Sequence, residues 1–292
     1  VRKIGNRRAP VVVASLNGNE ILEVSNLNGK LEPDYYYDGR HIINRLNKRF
    51  PILSLEDYLY NDIYQSSHRF IRMSRKEFVE FRNENPEIVQ KLKAERKAVI
   101  LLESENSNRY ADMRAFFMIM ESIVCRLSVI LCGQYREKNL LDLQLKAATD
   151  FGGLFIDGYG DGILLENEGH DIFYSDLKNT SFAILQATRM RITKSEFISC
   201  PGCGRTQFDL HTTTLEIKSH FSHLKHLKIG IMGCVVNGPG EMGDADYGFV
   251  GAGNGKINLY KGQKVVKRHI PHEEAVAELE KIIRENNDWV ED

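Results

Sequence analysis

Residues 98–132 read AVILLESENSNRYADMRAFFMIMESIVCRLSVILC. The run at 98–103 is short, apolar and bounded by polar residues, the pattern of a buried strand. Across 111–126, Met113, Phe116, Phe117, Met120, Ile123 and Val124 recur at three- and four-residue spacing, which marks one face of a helix. At 128–132 the pattern returns to a strand. Strand, helix and strand in that order imply parallel strands with a covering helix. The rhythm extends outward. A helix is expected at 140–149, a strand at 153–157, and a helix over 176–190 that buries Leu177, Phe182, Ile184 and Leu185. Upstream, 11–16 and 52–55 read as strands, and the densely charged stretch 68–97 reads as solvated helix faces. Repeated β–α units without a dinucleotide fingerprint suit a barrel or part of one. The expected class is therefore α/β, with a (β/α) barrel-like or partial-barrel domain over residues 1–192.

Near Thr193 the chain becomes rich in Gly and Cys and its elements shorten. Residues 227–232 alternate like a strand running into Cys234. Phe249, Ile257 and Leu259 fall in two short strands around a Gly-rich turn, and 264–268 reads as another strand. A last helix opens at Pro271, a favoured first-turn position. Glu273 and Glu274 follow in its first turn and Lys281 and Arg284 near its end, matching the helix dipole. Residues 193–292 thus read as a small α+β domain.

Composition narrows the function classes. A net charge of −1 on 292 residues lacks the basic excess of a nucleic-acid binder. The longest apolar stretch, 115–132, is interrupted by Glu121 and Arg126, so it is no membrane span. With no signal peptide, a cytoplasmic location is expected. The chain opens on Val1 and a basic segment (Arg2, Lys3, Arg7, Arg8), which reads as a start part-way through a longer protein. Five cysteines, three of them clustered, argue against a disulfide framework. Cys125, expected in a buried helix, and Cys132, expected in a strand, read as structural thiols.

The chemistry sits in two pieces. One is Cys200-Pro201-Gly202-Cys203-Gly204-Arg205; the other is Gly233-Cys234-Val235-Val236-Asn237-Gly238-Pro239-Gly240-Glu241. A C-x-x-C turn presents two thiolates to one centre, and a third comes from a turn at a strand end. Three are one short of a closed four-cysteine zinc site or an all-cysteine cluster. Glu241 is the best candidate for the fourth position, because Asn-Gly-Pro-Gly is strong turn chemistry that folds the chain back toward Cys234. A carboxylate competes poorly with thiolate for a soft metal, so it would hold the most exchangeable corner. On spacing alone three readings stand: a zinc site, an iron–sulfur cluster and a redox C-x-x-C pair. His211, His220, His223 and His226 lie between Cys203 and Cys234, and any of them completes a zinc site of three cysteines and one histidine.

The residues around these pieces decide between the readings. They are Ile198-Ser199-Cys200-Pro201, Cys203-Gly204-Arg205-Thr206, Phe208-Asp209, the run from Ile231 to Glu241, Asp244-Ala245-Asp246-Tyr247-Gly248 and Gly255-Lys256-Ile257. Over about the last hundred residues the chain resembles the C-terminal iron–sulfur domain of the 4-hydroxy-3-methylbut-2-enyl diphosphate synthase family. The segment from Asp157-Gly158-Tyr159-Gly160-Asp161-Gly162 to Arg189-Met190-Arg191 resembles the insertion domain of that family's longer, three-domain form. The resemblance implies a [4Fe-4S] cluster held by Cys200, Cys203, Cys234 and Glu241, with Asn237 close to the exchangeable iron. It implies reductive opening of 2-C-methyl-D-erythritol 2,4-cyclodiphosphate to the allylic diphosphate of the non-mevalonate pathway. It also implies that two electrons arrive singly from a ferredoxin or flavodoxin. The family's catalytic (β/α)8 barrel is not found in this chain. The expected content is insertion (spacer) domain plus cluster domain, inactive alone.

Weaker signals complete the reading. Arg205 and Lys256 are the only basic residues inside the resembling motifs and are the candidates for meeting the diphosphate. Residues 251–256 read as a strand-to-strand turn. The glycine loop 158–162, expected to follow a strand, is where barrel enzymes bind phosphate, but in a spacer domain it reads as structural.

Overall fold

A computed structural model describes residues 4–5, 8–16, 32–60, 69–169 and 171–291. The N-terminal residues Val1, Arg2, Lys3 and Arg7 lie outside the described residues. The chain divides into two units, Val1–Arg191 and Ile192–Asp292.

The first unit is a closed eight-stranded barrel with strands in sequential order. Its strands are β1 (Val11–Ser15), β2 (Tyr35–Tyr37), β3 (His41–Asn44), β4 (Arg49–Leu53), β5 (Arg69–Ser74), β6 (Ala98–Glu103), β7 (Ser128–Tyr135) and β8 (Gly162–Asn167). Helices α1 (Leu55–Tyr60), α2 (Arg75–Glu84), α3 (Glu87–Ala94), α4 (Arg109–Ser122), α5 (Leu140–Ile156) and α6 (Tyr174–Ala187) surround it. Strands β4 to β8 pair in parallel, as do β8 with β1 and β1 with β2. Strands β2, β3 and β4 pair antiparallel. The barrel is therefore complete as a sheet, yet it departs from a regular β–α repeat where two hairpin connections replace helices.

Side chains alternate across this sheet, as a barrel requires. Val11, Val13, Phe70, Val99, Leu101, Ile130, Cys132 and Leu164 fill the interior. Val12, Ile71, Met73, Ile100, Leu102, Leu131 and Ile163 face the helices. Cys132 is one of the interior residues, and burial pushes its thiol well up. Arg191, at the end of the unit, bonds the Pro10 carbonyl at 3.1 Å and pairs with Asp34. The Asp34 carboxylate also accepts from the Val12 amide at 2.9 Å, on β1.

Three expectations are corrected. Residues 153–157 form no strand; they are the last turn of α5 and its C-cap, Asp157. Leu143, Ala147, Phe151, Leu154 and Phe155 are all buried along it, a continuous helical face. A side chain at Gly153 would come within 2.7 Å of the Tyr110 ring, so the glycine serves helix packing. The loop 158–162 accordingly follows a helix and precedes β8, so it is not a phosphate-binding strand end. Second, the charged stretch 68–97 contains β5, whose two arginines are drawn inward by carboxylates: Arg69 pairs with Glu95, and Arg72 Nε lies 3.4 Å from Glu103. Third, α4 stops at Ser122, and Cys125 lies beyond it, buried in the turn before β7.

The second unit is a five-stranded sheet in the order β13-β12-β11-β10-β9. Its elements are β9 (Glu196–Ser199), α7 (Leu210–Phe221), β10 (Lys228–Met232), α8 (Gly238–Glu241), β11 (Tyr247–Gly253), β12 (Lys256–Lys261), β13 (Lys264–Pro271) and α9 (His272–Glu285). Strands β9, β10 and β11 run parallel, while β11, β12 and β13 are antiparallel. One face of the sheet buries Ile229, Ile231, Phe249 and Leu259 against Ile217 and Phe221 of α7 and Leu279, Ile282 and Ile283 of α9. The other collects Met232, Val250 and Tyr260 around Met242. Because β9, β10 and β11 are parallel, their C-terminal ends share one sheet edge, the place where such sheets bind ligands.

Candidate functional site

Both cysteine pieces emerge at that edge. Cys200 directly follows β9, and its amide donates to Ile231 O at 3.3 Å. Its Sγ accepts from the Gly233 amide at 3.2 Å, and Gly233 directly precedes Cys234 after β10. The second thiol, Cys203, lies exposed on the following loop, with its Sγ accepting from the Arg205 amide at 3.4 Å. Hydrogen bonds to sulfur tune the potential of a bound cluster.

Thr206 closes this loop. Its hydroxyl accepts from the Cys203 amide at 3.0 Å, and its own amide donates to Cys203 O at 3.0 Å. Next, the Gln207 amide donates to Gly233 O at 3.0 Å. A Cβ on Gly233 would stand 2.9 Å from the Thr206 side chain, and one on Gly251 only 2.4 Å from Gly233 O. Gly233 is thus wedged between the Cys203 loop and β11. These ties link the Cys200–Cys203 segment to the strand end that delivers Cys234. Asp209 then caps α7, accepting from the Thr212 amide at 3.1 Å and the Thr212 hydroxyl at 2.7 Å. Those bonds hold its carboxyl below the usual carboxylate range.

Beyond Cys234 the chain exposes Val235 and Val236 and turns at Asn237. The Asn237 carbonyl accepts from the amides of Gly240 and Glu241, both at 3.0 Å, which winds the Gly-Pro-Gly sequence into α8. Asn237 and Glu241 are exposed on this short helix. Arg205 is exposed on the Cys203 loop and Lys256 is exposed at the start of β12, on the same edge of the sheet. The expected hairpin turn lies within 251–256, at Asn254 and Gly255 between β11 and β12, with Asn254 in the left-handed region at φ 51°.

Among the described residues, no three Cys, His, Asp or Glu side chains stand close enough to hold one metal ion. The donor chemistry nonetheless suits a polynuclear cluster, in which each thiolate binds a different iron. Three of the alternative histidine ligands are engaged elsewhere. His220 bonds Glu280 at 2.6 Å, His226 bonds Asp288 O at 3.0 Å and His223 packs on Trp289. All three precede β10, at the end of the sheet opposite the cysteines. His211 is exposed in the first turn of α7.

The barrel also has a polar mouth, at the C-terminal ends of its strands. Arg72 lies 3.4 Å from Glu103 and 3.7 Å from Glu166, with Tyr37 beneath its guanidinium. Burial pushes both carboxyls up. Cavities of 370 and 730 Å³ open there. The cations lining the larger one are paired: Arg109 with Asp150 at 3.2 Å, Arg136 with Glu168 at 2.7 Å and Lys146 with Glu137 at 2.6 Å. Among the described residues, such a mouth offers a polyanion little uncompensated positive charge.

Residues 196–285 match the GcpE protein C-terminal domain. The 4-hydroxy-3-methylbut-2-en-1-yl diphosphate synthase (flavodoxin) of Parabacteroides distasonis is 42% identical over 301 residues, covering 99% of this chain and 48% of the relative. The chain belongs to the 4-hydroxy-3-methylbut-2-en-1-yl diphosphate synthase family. The Porphyromonas gingivalis synthase (flavodoxin) is 47% identical over 203 residues, 70% of this chain and 35% of that protein. The chloroplastic synthase (ferredoxin) of Arabidopsis thaliana is 52% identical over 150 residues, 51% of this chain and 20% of that protein. The chain spans about half the length of bacterial synthases that it matches from end to end. Among its described residues no helix is long and apolar enough to cross a membrane.

Sequence reasoning singled out the cysteines, Asn237, Glu241, Arg205 and Lys256 as candidates. It missed the ties between the two pieces, made by Thr206, Gln207 and Gly251. The signal was weak: a hydroxyl three residues after Cys203 suits a local turn bond, but the Gly233–Gly251 approach needs the sheet register.

Proposed function

We propose that this chain supplies the iron–sulfur portion of a reductase that opens 2-C-methyl-D-erythritol 2,4-cyclodiphosphate to 4-hydroxy-3-methylbut-2-enyl diphosphate. Cys200, Cys203, Cys234 and Glu241 hold a [4Fe-4S] cluster, and a flavodoxin or ferredoxin provides the electrons. The observation that carries this reading is the pair of amide-to-sulfur bonds, Gly233 to Cys200 and Arg205 to Cys203, at the edge where parallel strands deliver both cysteine pieces. The names of the relatives support it. When bound, the cluster supplies one-electron reduction at an iron whose protein ligand is exchangeable.

The chain's own residues have distinct parts. The Gly233 and Arg205 amides donate to the sulfurs of Cys200 and Cys203 and so orient them. Glu241, a hard oxygen ligand on a short exposed helix, yields its place more readily than a thiolate. Asn237, one turn earlier, offers a neutral amide to orient a substrate oxygen without adding charge. Arg205 and Lys256 offer charge-assisted bonds to the diphosphate. The barrel acts as a spacer, and the paired cations at its mouth support that role. The diphosphate-binding barrel is then a separate domain of the whole enzyme.

The test is anaerobic turnover of the cyclic diphosphate by the full-length enzyme and by this chain alone. Turnover by the full-length enzyme, its loss in Glu241→Ala, and none by the isolated chain are expected. Robust turnover by the isolated chain would refute the spacer assignment, and an active Glu241→Ala enzyme would refute the role of Glu241.

A further inference from the structure

The hairpin of β12 and β13 has a one-sided charge. From Tyr247 to Pro271 the chain carries Lys256, Lys261, Lys264, Lys267 and Arg268 and no acidic residue. Two of the five are engaged by α9 or its C-cap: Lys267 pairs with Glu278, and Lys261 bonds the Asn286 side chain. Lys256, Lys264 and Arg268 are exposed, and none is seen in an ion pair among the described residues. β13 is the terminal strand of the sheet, so one long side of it is unpaired, and Val266 is 40% exposed there.

The position of this edge matters as much as its charge. β12 begins, and β13 ends, at the sheet edge where Cys200 and Cys234 emerge, with Lys256 opposite Pro271. Lys256 stands two strands from β10, about 10 Å at normal strand spacing, and Arg268 lies three residues back from that edge, about 10 Å along the strand. The basic edge therefore flanks the cysteine edge without covering it. If substrate occupies the open side of the cluster, electrons must enter from a flank, and this flank carries uncompensated positive charge.

We infer that the β12–β13 edge, through Lys264 and Arg268, is the docking surface for a small acidic redox protein. The inference rests on the reading above that such a protein delivers the electrons. Opposite charge steers a transient encounter and sets its rate more than its final affinity. Redox encounters of this kind use small interfaces, and one exposed edge strand with a hydrophobic contact at Val266 suffices. The competing explanation is local: lysines on an edge strand guard against edge-to-edge pairing.

The experiment uses the full-length enzyme with its cluster, and the double variants Lys264→Glu/Arg268→Glu and Lys264→Gln/Arg268→Gln. Turnover is driven either by reduced flavodoxin or by reduced methyl viologen, which needs no docking surface. For charge reversal, the flavodoxin KM should rise about tenfold at low salt and lose its salt dependence. The neutral variant should fall between, and viologen-driven turnover should be unchanged. An unaltered flavodoxin KM and salt dependence, whether or not the variants aggregate, would overturn the docking surface and leave edge protection. A parallel loss of viologen-driven turnover would also overturn it, because the residues would then serve the site or the fold. A wild-type enzyme inactive with both reductants would instead sink the functional reading beneath it.

Discussion

Replacing Gly251 with alanine tests whether the two cysteine pieces are held together by close backbone packing. The added Cβ would stand 2.4 Å from Gly233 O and 3.1 Å from Gln207 Cβ. Ordinary contact needs about 3.5 Å, so β11 and the Gly233 peptide must part by roughly 1 Å. Overpacking of this kind costs about 1–3 kcal/mol. The shift also stretches the Gln207 amide bond to Gly233 O, 3.0 Å long, at about 1 kcal/mol. Alanine returns about 0.4–1 kcal/mol through the unfolded chain, which leaves a net loss of about 2 kcal/mol. The only tryptophan in the sequence, Trp289, packs on Phe221 and His223 in the same unit, so its fluorescence reports this unit's unfolding. With a urea slope of about 2 kcal/mol per molar, the midpoint should fall by about 1 M. Gly240→Ala is the control, since a Cβ there meets nothing within 4 Å; its midpoint should move by less than about 0.3 M. A Gly251→Ala midpoint equal to wild type, or an equal drop in the control, would refute the packing argument.

Further consequences follow from the same geometry. Thr206→Val removes the hydroxyl that accepts from the Cys203 amide. A loss of about 1 kcal/mol at this tie should speed cluster decay in air about fivefold, followed by visible absorbance, while Thr206→Ser should decay like wild type; equal decay in all three would discount the tie. In the barrel unit, burial alone would raise the Glu95 carboxyl. The Lys97 and Arg96 amides and the Arg69 guanidinium more than offset this and hold it below the ordinary glutamate value. A depressed folded value means that its stabilisation is present above the unfolded value and is lost as pH falls through the folded one. The thermal-midpoint gap between wild type and Glu95→Gln should therefore be widest above the ordinary glutamate value and narrow as pH falls below it; a constant gap would count against a charged Glu95. Finally, inorganic pyrophosphate should bind the isolated chain no more weakly when Arg136→Ala is introduced, by calorimetry, because that cation is already matched by Glu168.

The sequence carried the barrel where burial alone set the pattern. β6, α4 and β7 are readable because their apolar residues repeat with the period of the element. The reading failed where tertiary contacts overrode local chemistry. Gly152 and Gly153 weaken a helix expectation, yet Phe151, Leu154 and Phe155 extend the buried face begun by Leu143 and Ala147. β5 was hidden because Arg69 and Arg72 look solvated until the carboxylates of Glu95, Glu103 and Glu166 are brought to them from distant strands and loops. At the site, the cysteines and Glu241 were visible as chemistry at a spacing. Thr206, Gln207 and Gly251 were not, because their role depends on β9, β10 and β11 lying side by side in one register.

Anaerobic reconstitution of this chain with iron and sulfide, followed by iron, sulfide and zinc analysis and by electron paramagnetic resonance after reduction, tests the central claim most directly. The account predicts about four iron and four sulfide per chain, lost in Cys200→Ser, Cys203→Ser and Cys234→Ser, with a changed resonance in Glu241→Ala. A single zinc without sulfide, or a cluster that survives loss of Cys234, would contradict it.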